Sequence, residues 1–291
     1  MNANPMNKHE AASPPPSAAI TQGGPLRVAI VGLGAIGATL ADKLKGGAVP
    51  GIELVAVSAR DTAKAERVAA ELGGGVRVAA IADLPKVADL AIECAPAAIL
   101  EQIARPMLEA GKKVMVLSVG ALLSHPELLE LAGRHHGQII VPTGALLGLD
   151  AVAAAAEGVI HSVRMKTTKP IKGLLGAPYL VENKIDVSNV KVPTKVFEGT
   201  AREAAIGFPA NLNVAVALSL AGIGPDRTVL EIWADPAIER NTHQIMVDAD
   251  SASFEMTIRN IPSENPKTGK ITPLSAVAAL RKLNAPLRVG S

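Results

Sequence analysis

The sequence has a single cysteine, Cys94. That excludes an internal disulfide framework and a cysteine-rich zinc site, and a cytoplasmic setting is expected. Aromatic residues are scarce: three Phe, one Tyr and one Trp in 291 residues. Too few rings are present for the stacking platforms of single-strand nucleic-acid binders. Charge of either sign is in near balance, with a net of +2, so no nucleic-acid surface is expected. No apolar run reaches the roughly 18–20 residues of a membrane span; Ala151–Ala156 is apolar but short, and Glu157 closes it. No membrane partner is therefore expected. The six histidines are scattered without ligand spacing, so no metal is expected. The first residues lack the basic start and apolar core of a signal peptide. They include Pro14–Pro16 and read as a tail over residues 1–25.

What is abundant is Ala, Val, Leu and Gly, within a 48% apolar composition. This is the material of a parallel sheet covered by helices. Short buried-strand patterns occur at Leu26–Val31, Ile52–Ser58, Arg77–Ala80, Leu90–Glu93, Lys113–Ser118 and Gln138–Val141. Helical segments over Ala38–Leu44, Ala63–Leu72, Ile99–Ala110 and Glu127–His135 separate them. Such alternation means βαβ units and a Rossmann-type parallel sheet. Further on the texture changes. Alternating strands are expected at Val159–Lys166, Lys195–Glu198, Val229–Ala234, His243–Val247 and Ser253–Arg259, with helices at Ala201–Ile206, Asn213–Ala221 and Leu274–Lys282. Strands outnumber helices here, so the second part is expected to be α+β on a mostly antiparallel sheet. The expected organisation is a dinucleotide-binding domain at 26–142, an α+β domain at 143–272 and a terminal helix at 273–291 that packs back on the first domain.

Gly32, Gly34 and Gly37 form G-x-G-x-x-G directly between a strand and a helix. That context gives the motif its meaning. Gly32 permits the tight turn, Gly34 lets backbone approach a pyrophosphate, and Gly37 lets helix and strand pack closely. Ala35 and Ile36 then offer N–H groups at the helix start. The cofactor is expected to be NAD or NADP. The second strand ends Ser58-Ala59-Arg60-Asp61. Asp61 is late for a ribose ligand, whereas Ser58 and Arg60 could hold a 2′-phosphate; the alternative for Arg60 is a solvated loop residue. Later strand ends should line the nicotinamide side, through Cys94, Ala95 and Ser118. Cys94 reads as a small packing residue rather than a nucleophile.

A hydride enzyme acting on an amine or alcohol needs an acid–base group, and histidine suits that task. His9 lies in the tail, His125, His135 and His136 near an exposed helix, and His161 on the solvent side of a strand. His243 differs, because a polar loop leads from Ala234 into the strand that it opens. Asn211 and Asn213 flank the start of an apolar helix; one could be its N-cap and the other a ligand residue. Asn265–Thr268 is either a turn or a place where Lys267 meets an anionic substrate.

Taken together, several runs resemble the L-aspartate dehydrogenase family: PTGALLGLD over Pro142–Asp150, the segment Phe197–Gly224, ADP…RNTH over Ala234–His243, and NPKT over Asn265–Thr268. The resemblance spreads over nearly the whole chain after the tail. It implies a Rossmann domain plus an α+β catalytic and oligomerising domain, a homodimer, and oxidation of L-aspartate with NAD or NADP to iminoaspartate. The imine hydrolyses to oxaloacetate and ammonia, or feeds NAD biosynthesis. It also implies that His243 is the catalytic histidine and that Ala145 and Asn213 contact the cofactor. Two departures stand out: Gly144–Gly148 is Gly-Ala-Leu-Leu-Gly, one residue longer than the usual form, and Thr168 replaces a frequent basic residue. Both bear on the substrate. Its two carboxylates need cationic partners, for which Lys169 and Lys267 are the candidates, with solvated lysine as the alternative. Dehydrogenation of another small amino acid or dicarboxylate, or cofactor sensing without turnover, are the competing readings.

Overall fold

A computed structural model describes residues 24–209, 212–263 and 269–290. The expected tail, up to residue 23, and the candidates Asn211 and Lys267 lie outside them.

The first half alternates strands and helices: β1 (Leu26–Val31), α1 (Ala35–Leu44), β2 (Ile52–Ser58), α2 (Thr62–Leu72), β3 (Arg77–Val78), α3 (Leu84–Val87), β4 (Leu90–Glu93), α4 (Leu100–Glu109), β5 (Lys113–Val116), α5 (Glu127–Arg134) and β6 (Gln138–Ile140). The six strands pair in the order β3-β2-β1-β4-β5-β6, all in parallel. The order reverses beside β1, which puts a switch-point crevice at the carboxyl ends of β1 and β4. Alternate side chains of β1 go to opposite faces. Val28 and Ile30 pack with Leu40 and Leu44 of α1, whereas Ala29 and Val31 pack with Ile103 and Met107 of α4. Burying both faces explains why these strands read as unbroken apolar runs.

The second half runs α6 (Leu149–Ala156), β7 (Ile160–Lys169), α7 (Pro178–Glu182), β8 (Thr194–Thr200), α8 (Ala201–Gly207), α9 (Asn213–Ala221), β9 (Thr228–Ala234), β10 (Thr242–Ala249), β11 (Ser253–Arg259) and α10 (Ile271–Asn284). Its five strands are ordered β11-β10-β7-β9-β8. Only β7 and β9 run parallel; the other three pairings are antiparallel. One face is buried: Val163, Met165, Leu230, Ile232, Ile245 and Val247 pack with Val152, Leu180, Phe208 and Leu218 from the covering helices. Tyr179, Phe197 and Phe208 meet there with ring centroids 5.1–5.5 Å apart. Three of five aromatic residues thus share one cluster. The opposite face is polar, with Arg164 bridging Glu198 and Glu231 and the Lys166 ammonium 4.3 Å from the Trp233 ring centroid.

α10 returns to the first sheet, where Ala276 and Leu280 join the cluster containing Leu40 and Ile52. Three local readings are corrected. α1 starts at Ala35 rather than Ala38, because the glycine turn is tight. β7 continues three residues past Lys166, since its pairing with β10 and β9 extends to Thr168 and Lys169. The short helix α7 was not expected; five residues show too little periodicity to register.

Candidate active site

The glycine turn follows from crowding. Gly32 has φ +96°, and a Cβ there would lie 2.6 Å from the Cys94 carbonyl oxygen. At Gly37 a Cβ would meet the Gly32 carbonyl oxygen at 1.9 Å. Gly34, by contrast, has nothing within 4 Å of its missing side chain. Two glycines therefore close the strand–helix junction, and the third leaves open space above the α1 N-terminus, which no side chain caps. This arrangement fits a dinucleotide pyrophosphate.

Around this turn the candidates separate. Ser58 is buried, and its carbonyl accepts the Gly32 N–H at 2.7 Å. Arg60 is exposed just beyond β2. Asp61 accepts the Lys64 N–H at 2.9 Å and so caps α2. Lys64, which sequence reasoning passed over, donates from Nζ to the Leu33 carbonyl at 2.9 Å. Cys94 packs its carbonyl against Gly32 and its Cβ against Gly37, and burial pushes its thiol far above the usual range. Nothing there makes a thiolate.

A cavity opens between the two sheets. Ile36, Leu117 and Val119 line it from the first half, Thr143 and Ala145 from the connection after β6, and Lys169, Asn213, Asn241, His243 and Asn260 from the second half. The strand period explains the second set. Val163, Met165, Thr167 and Lys169 are alternate, buried residues of β7, as His243, Ile245 and Val247 are of β10. The buried face is apolar where helices cover it and turns polar at the end that faces the first sheet. Thr167 and His243 are cross-strand partners, with Oγ1 and Nδ1 3.1 Å apart and hydrogen-bonded.

His243 is therefore the second residue of β10, in the strand expected of it, and is only 3% exposed. Burial, and then the Lys169 charge, push its imidazole down to about 3. Lys169 is likewise 3% exposed. It is not a solvated lysine, and burial brings its ammonium down to about 8. Both shifts have the sign expected when a low-dielectric site disfavours the charged form.

Asn213 is the first residue of α9, whose N-cap is Leu212, so it does not cap the helix. Its Oδ1 accepts the Gly120 N–H at 3.0 Å, across the two halves. Asn260 went unnoticed in the sequence. Its Nδ2 donates to the Ala145 carbonyl at 2.9 Å, and its Oδ1 is buried without a partner. Gly144 donates its N–H to Ser275 Oγ at 2.9 Å. The Gly144–Ala145 turn is thus held from both α10 and the end of β11. Thr167 could have been found by extending the alternation past Lys166; Asn260 left no local signal. No other described histidine lines the cavity. Glu101, His125 and Glu127 approach one another closely, but Arg105 donates to Glu101 at 2.6 Å there.

A doubly wound sheet with a glycine turn at its switch point, opening onto a cavity that holds a buried imidazole, is the build of a nicotinamide-dinucleotide oxidoreductase. Comparison with known proteins narrows the class. Residues 32–142 match the NAD-binding domain of homoserine dehydrogenase, and residues 150–283 the C-terminal domain of aspartate dehydrogenase. L-aspartate dehydrogenase 3 of Bordetella bronchiseptica is 58% identical, over 91% of this chain and 98% of that protein. L-aspartate dehydrogenase of Bradyrhizobium diazoefficiens is 57% identical, over 91% and 94%. The chain belongs to the L-aspartate dehydrogenase family. The crystal structure of aspartate dehydrogenase from Thermotoga maritima shares its fold, with a TM-score of 0.72, 24% identity and coverage of 91% of this chain and 99% of that one.

Proposed function

We propose that this chain oxidises L-aspartate to iminoaspartate with NAD or NADP, and that the imine is hydrolysed to oxaloacetate and ammonia. The observation that carries this reading is the buried His243–Thr167 pair beside Lys169, facing the glycine turn across one cavity. The names of its relatives, at 58% and 57% identity, supply the substrate.

The dinucleotide is held by Gly32, Gly34, Gly37 and the N–H groups of Ala35 and Ile36, with Ala95, Ser118, Ala145 and Asn213 toward its nicotinamide end. When bound it supplies the hydride acceptor. Lys169 pairs with a substrate carboxylate, a charge-assisted contact. In the tautomer whose Nδ1–H is donated to Thr167, His243 keeps the Nε2 lone pair for a proton. It takes that proton from the substrate ammonium. The nitrogen lone pair then drives hydride off the α-carbon, leaving the protonated imine (the iminium ion). After passing that first proton to solvent, His243 deprotonates the attacking water and returns the proton to the nitrogen of the adduct, which collapses to oxaloacetate and ammonium. Substrate binding also prepares the base. A carboxylate on Lys169 offsets the cation that holds the imidazole down, so the His243 value rises toward a useful range.

Both cofactors are accepted, NADP through Arg60. Support comes from Asp61, whose carboxylate caps α2, and from the exposed Arg60 just beyond β2. We further assign residues 26–142 to the dinucleotide domain, 143–272 to catalysis and oligomerisation and 273–291 to a returning helix, in a cytoplasmic homodimer whose imine also serves NAD biosynthesis. The test is NAD(P)H formation from L-aspartate at mildly alkaline pH with each cofactor. Activity that is absent with glutamate and malate supports the assignment. No turnover in either direction, with cofactor still bound, replaces it by another amine substrate or a sensing role.

A further inference from the structure

β4 reads Leu90-Ala91-Ile92-Glu93, and all four residues are buried. A carboxylate thus closes an apolar strand at 0% exposure. Its Oε1 accepts the Ala95 N–H and the Ser118 hydroxyl, both at 3.0 Å. Its Oε2 accepts the N–H groups of Leu117 and Ser118, at 3.1 and 2.8 Å. Three of the partners are backbone N–H groups, which can only donate; the fourth is a hydroxyl whose oxygen also lies 3.4 Å from the Ala95 carbonyl. Burial raises the carboxyl above its ordinary value, and these donors offset part of that rise.

The location gives this cluster its consequence. Glu93 stands beside Val31 of β1 and Val116 of β5, at the carboxyl ends of both pairings. Past Glu93 one more backbone bond follows, from the Cys94 N–H to the Val31 carbonyl at 2.8 Å, after the register of β4 with β1 has ended. Glu93 holds Ala95, the second residue past β4, and Leu117–Ser118, the first two past β5. Leu117 and Val119 line the cavity, and Gly120, two residues past Ser118, donates to Asn213 of the second half. One carboxylate therefore joins the strand ends beneath the cavity to the turn that meets the opposite wall. The Cys94 carbonyl against Gly32 extends the same unit to the glycine turn.

We propose that Glu93 is a positioning residue for the nicotinamide end of the cofactor, fixing the shelf formed by Ala95, Leu117 and Ser118 at the distance from His243 that hydride transfer needs. This rests on the dinucleotide site proposed above. Glu93→Gln is the informative change, because it keeps the shape and turns an NH2 toward donors. Binding of NADPH and of NADH to the purified full chain is followed by nucleotide fluorescence. In parallel, kcat, KM and the isotope effect with aspartate deuterated at the α-carbon are measured. The expected result is a dissociation constant raised about tenfold or more, the scale of one lost hydrogen bond to a charged group, and a larger isotope effect as hydride transfer becomes slower. Loss of folded protein alone would lower kcat and leave the dissociation constant and isotope effect unmoved. Wild-type values for both in a folded Glu93→Gln variant overturn the proposal. If that variant does not fold, Glu93→Asp decides, since it keeps the charge, draws the carboxylate back from its four donors and alters no residue assigned to the cofactor. Binding weakened about threefold, the size of a modest hydrogen bond, supports the proposal, and unchanged binding overturns it. If the wild type binds NADPH without oxidising aspartate, the functional reading fails, while the binding comparison still judges Glu93.

Discussion

Two ionisable groups lie at the carboxyl ends of buried strands on opposite sides of the cavity, Glu93 on β4 and Lys169 on β7, and the two halves of the molecule treat them differently. Glu93 is surrounded by four donors at hydrogen-bond distance, so its charge is matched by fixed dipoles. Lys169 is governed by desolvation, which brings it down to about 8, and next to it His243 is pressed lower still. The first half is thus complete and rigid at its strand ends. The second half keeps its charged end in an environment that an anionic substrate would improve. A buried carboxylate ringed by donors builds a shelf; a buried ammonium brought down by desolvation suits a site for an anion.

The largest effect that would break this contrast is loss of the base. His243→Ala is expected to lower kcat by about 10²–10⁴ while NADPH binding, read by fluorescence titration, stays within a factor of about two of wild type. Near-normal turnover would remove His243 from the reaction.

Next comes the cation. Lys169→Met is expected to raise the aspartate KM by about a hundredfold, in the range for losing a buried charge partner. It also sharpens the comparison through pH. Aspartate binding should weaken above about pH 8 as Lys169 loses its proton, and that limb should vanish in the variant. Removing the positive charge should also move the acidic limb of kcat/KM upward, since the Lys169 charge lowers the His243 value. Unaltered pH profiles would separate the two residues.

A smaller effect concerns stability without ligand. The folded-state His243 value is depressed, so between its ordinary 6.5 and about 3 the unfolded chain binds the extra proton. Its contribution is intact above pH 6.5 and declines as pH falls through that window, by at most about 1.4 kcal/mol per unit. Denaturant unfolding of wild type and His243→Asn across this range should show the steeper decline in wild type.

The smallest expected change is at the far end of the cofactor. Arg60→Ser should lower the preference for NADP over NAD by about tenfold, the worth of one charge-assisted pair, and leave the aspartate KM alone. An unchanged ratio of kcat/KM values for the two cofactors would return Arg60 to the solvated surface.

Much of the fold was legible locally. Leu26–Val31, Ile52–Ser58, Leu90–Glu93 and Ser253–Arg259 are strands with the bounds expected of them, and Asn213–Ala221 is the expected helix. Apolar runs cut off by glycine or polar residues have few other ways to be buried, and the glycine turn carries its constraint in its own backbone. The same local evidence singled out His243 as a residue but misjudged its surroundings. Its environment is made by Thr167, 76 residues away in sequence, and by the closing of the first half over the end of β7.

By itself, then, the sequence determined the two-part architecture, the parallel and mostly antiparallel sheets, the glycine turn and the residue types available for chemistry, because period and steric freedom are properties of neighbours along the chain. Only the tertiary structure decided that Lys169 is buried rather than solvated, that Asn213 reaches Gly120, that Asn260 holds Ala145 and that Glu93 ties two strand ends together. Each depends on which distant segments exclude water or present donors, and burial, with the pKa shifts that follow from it, is a property of packing in three dimensions.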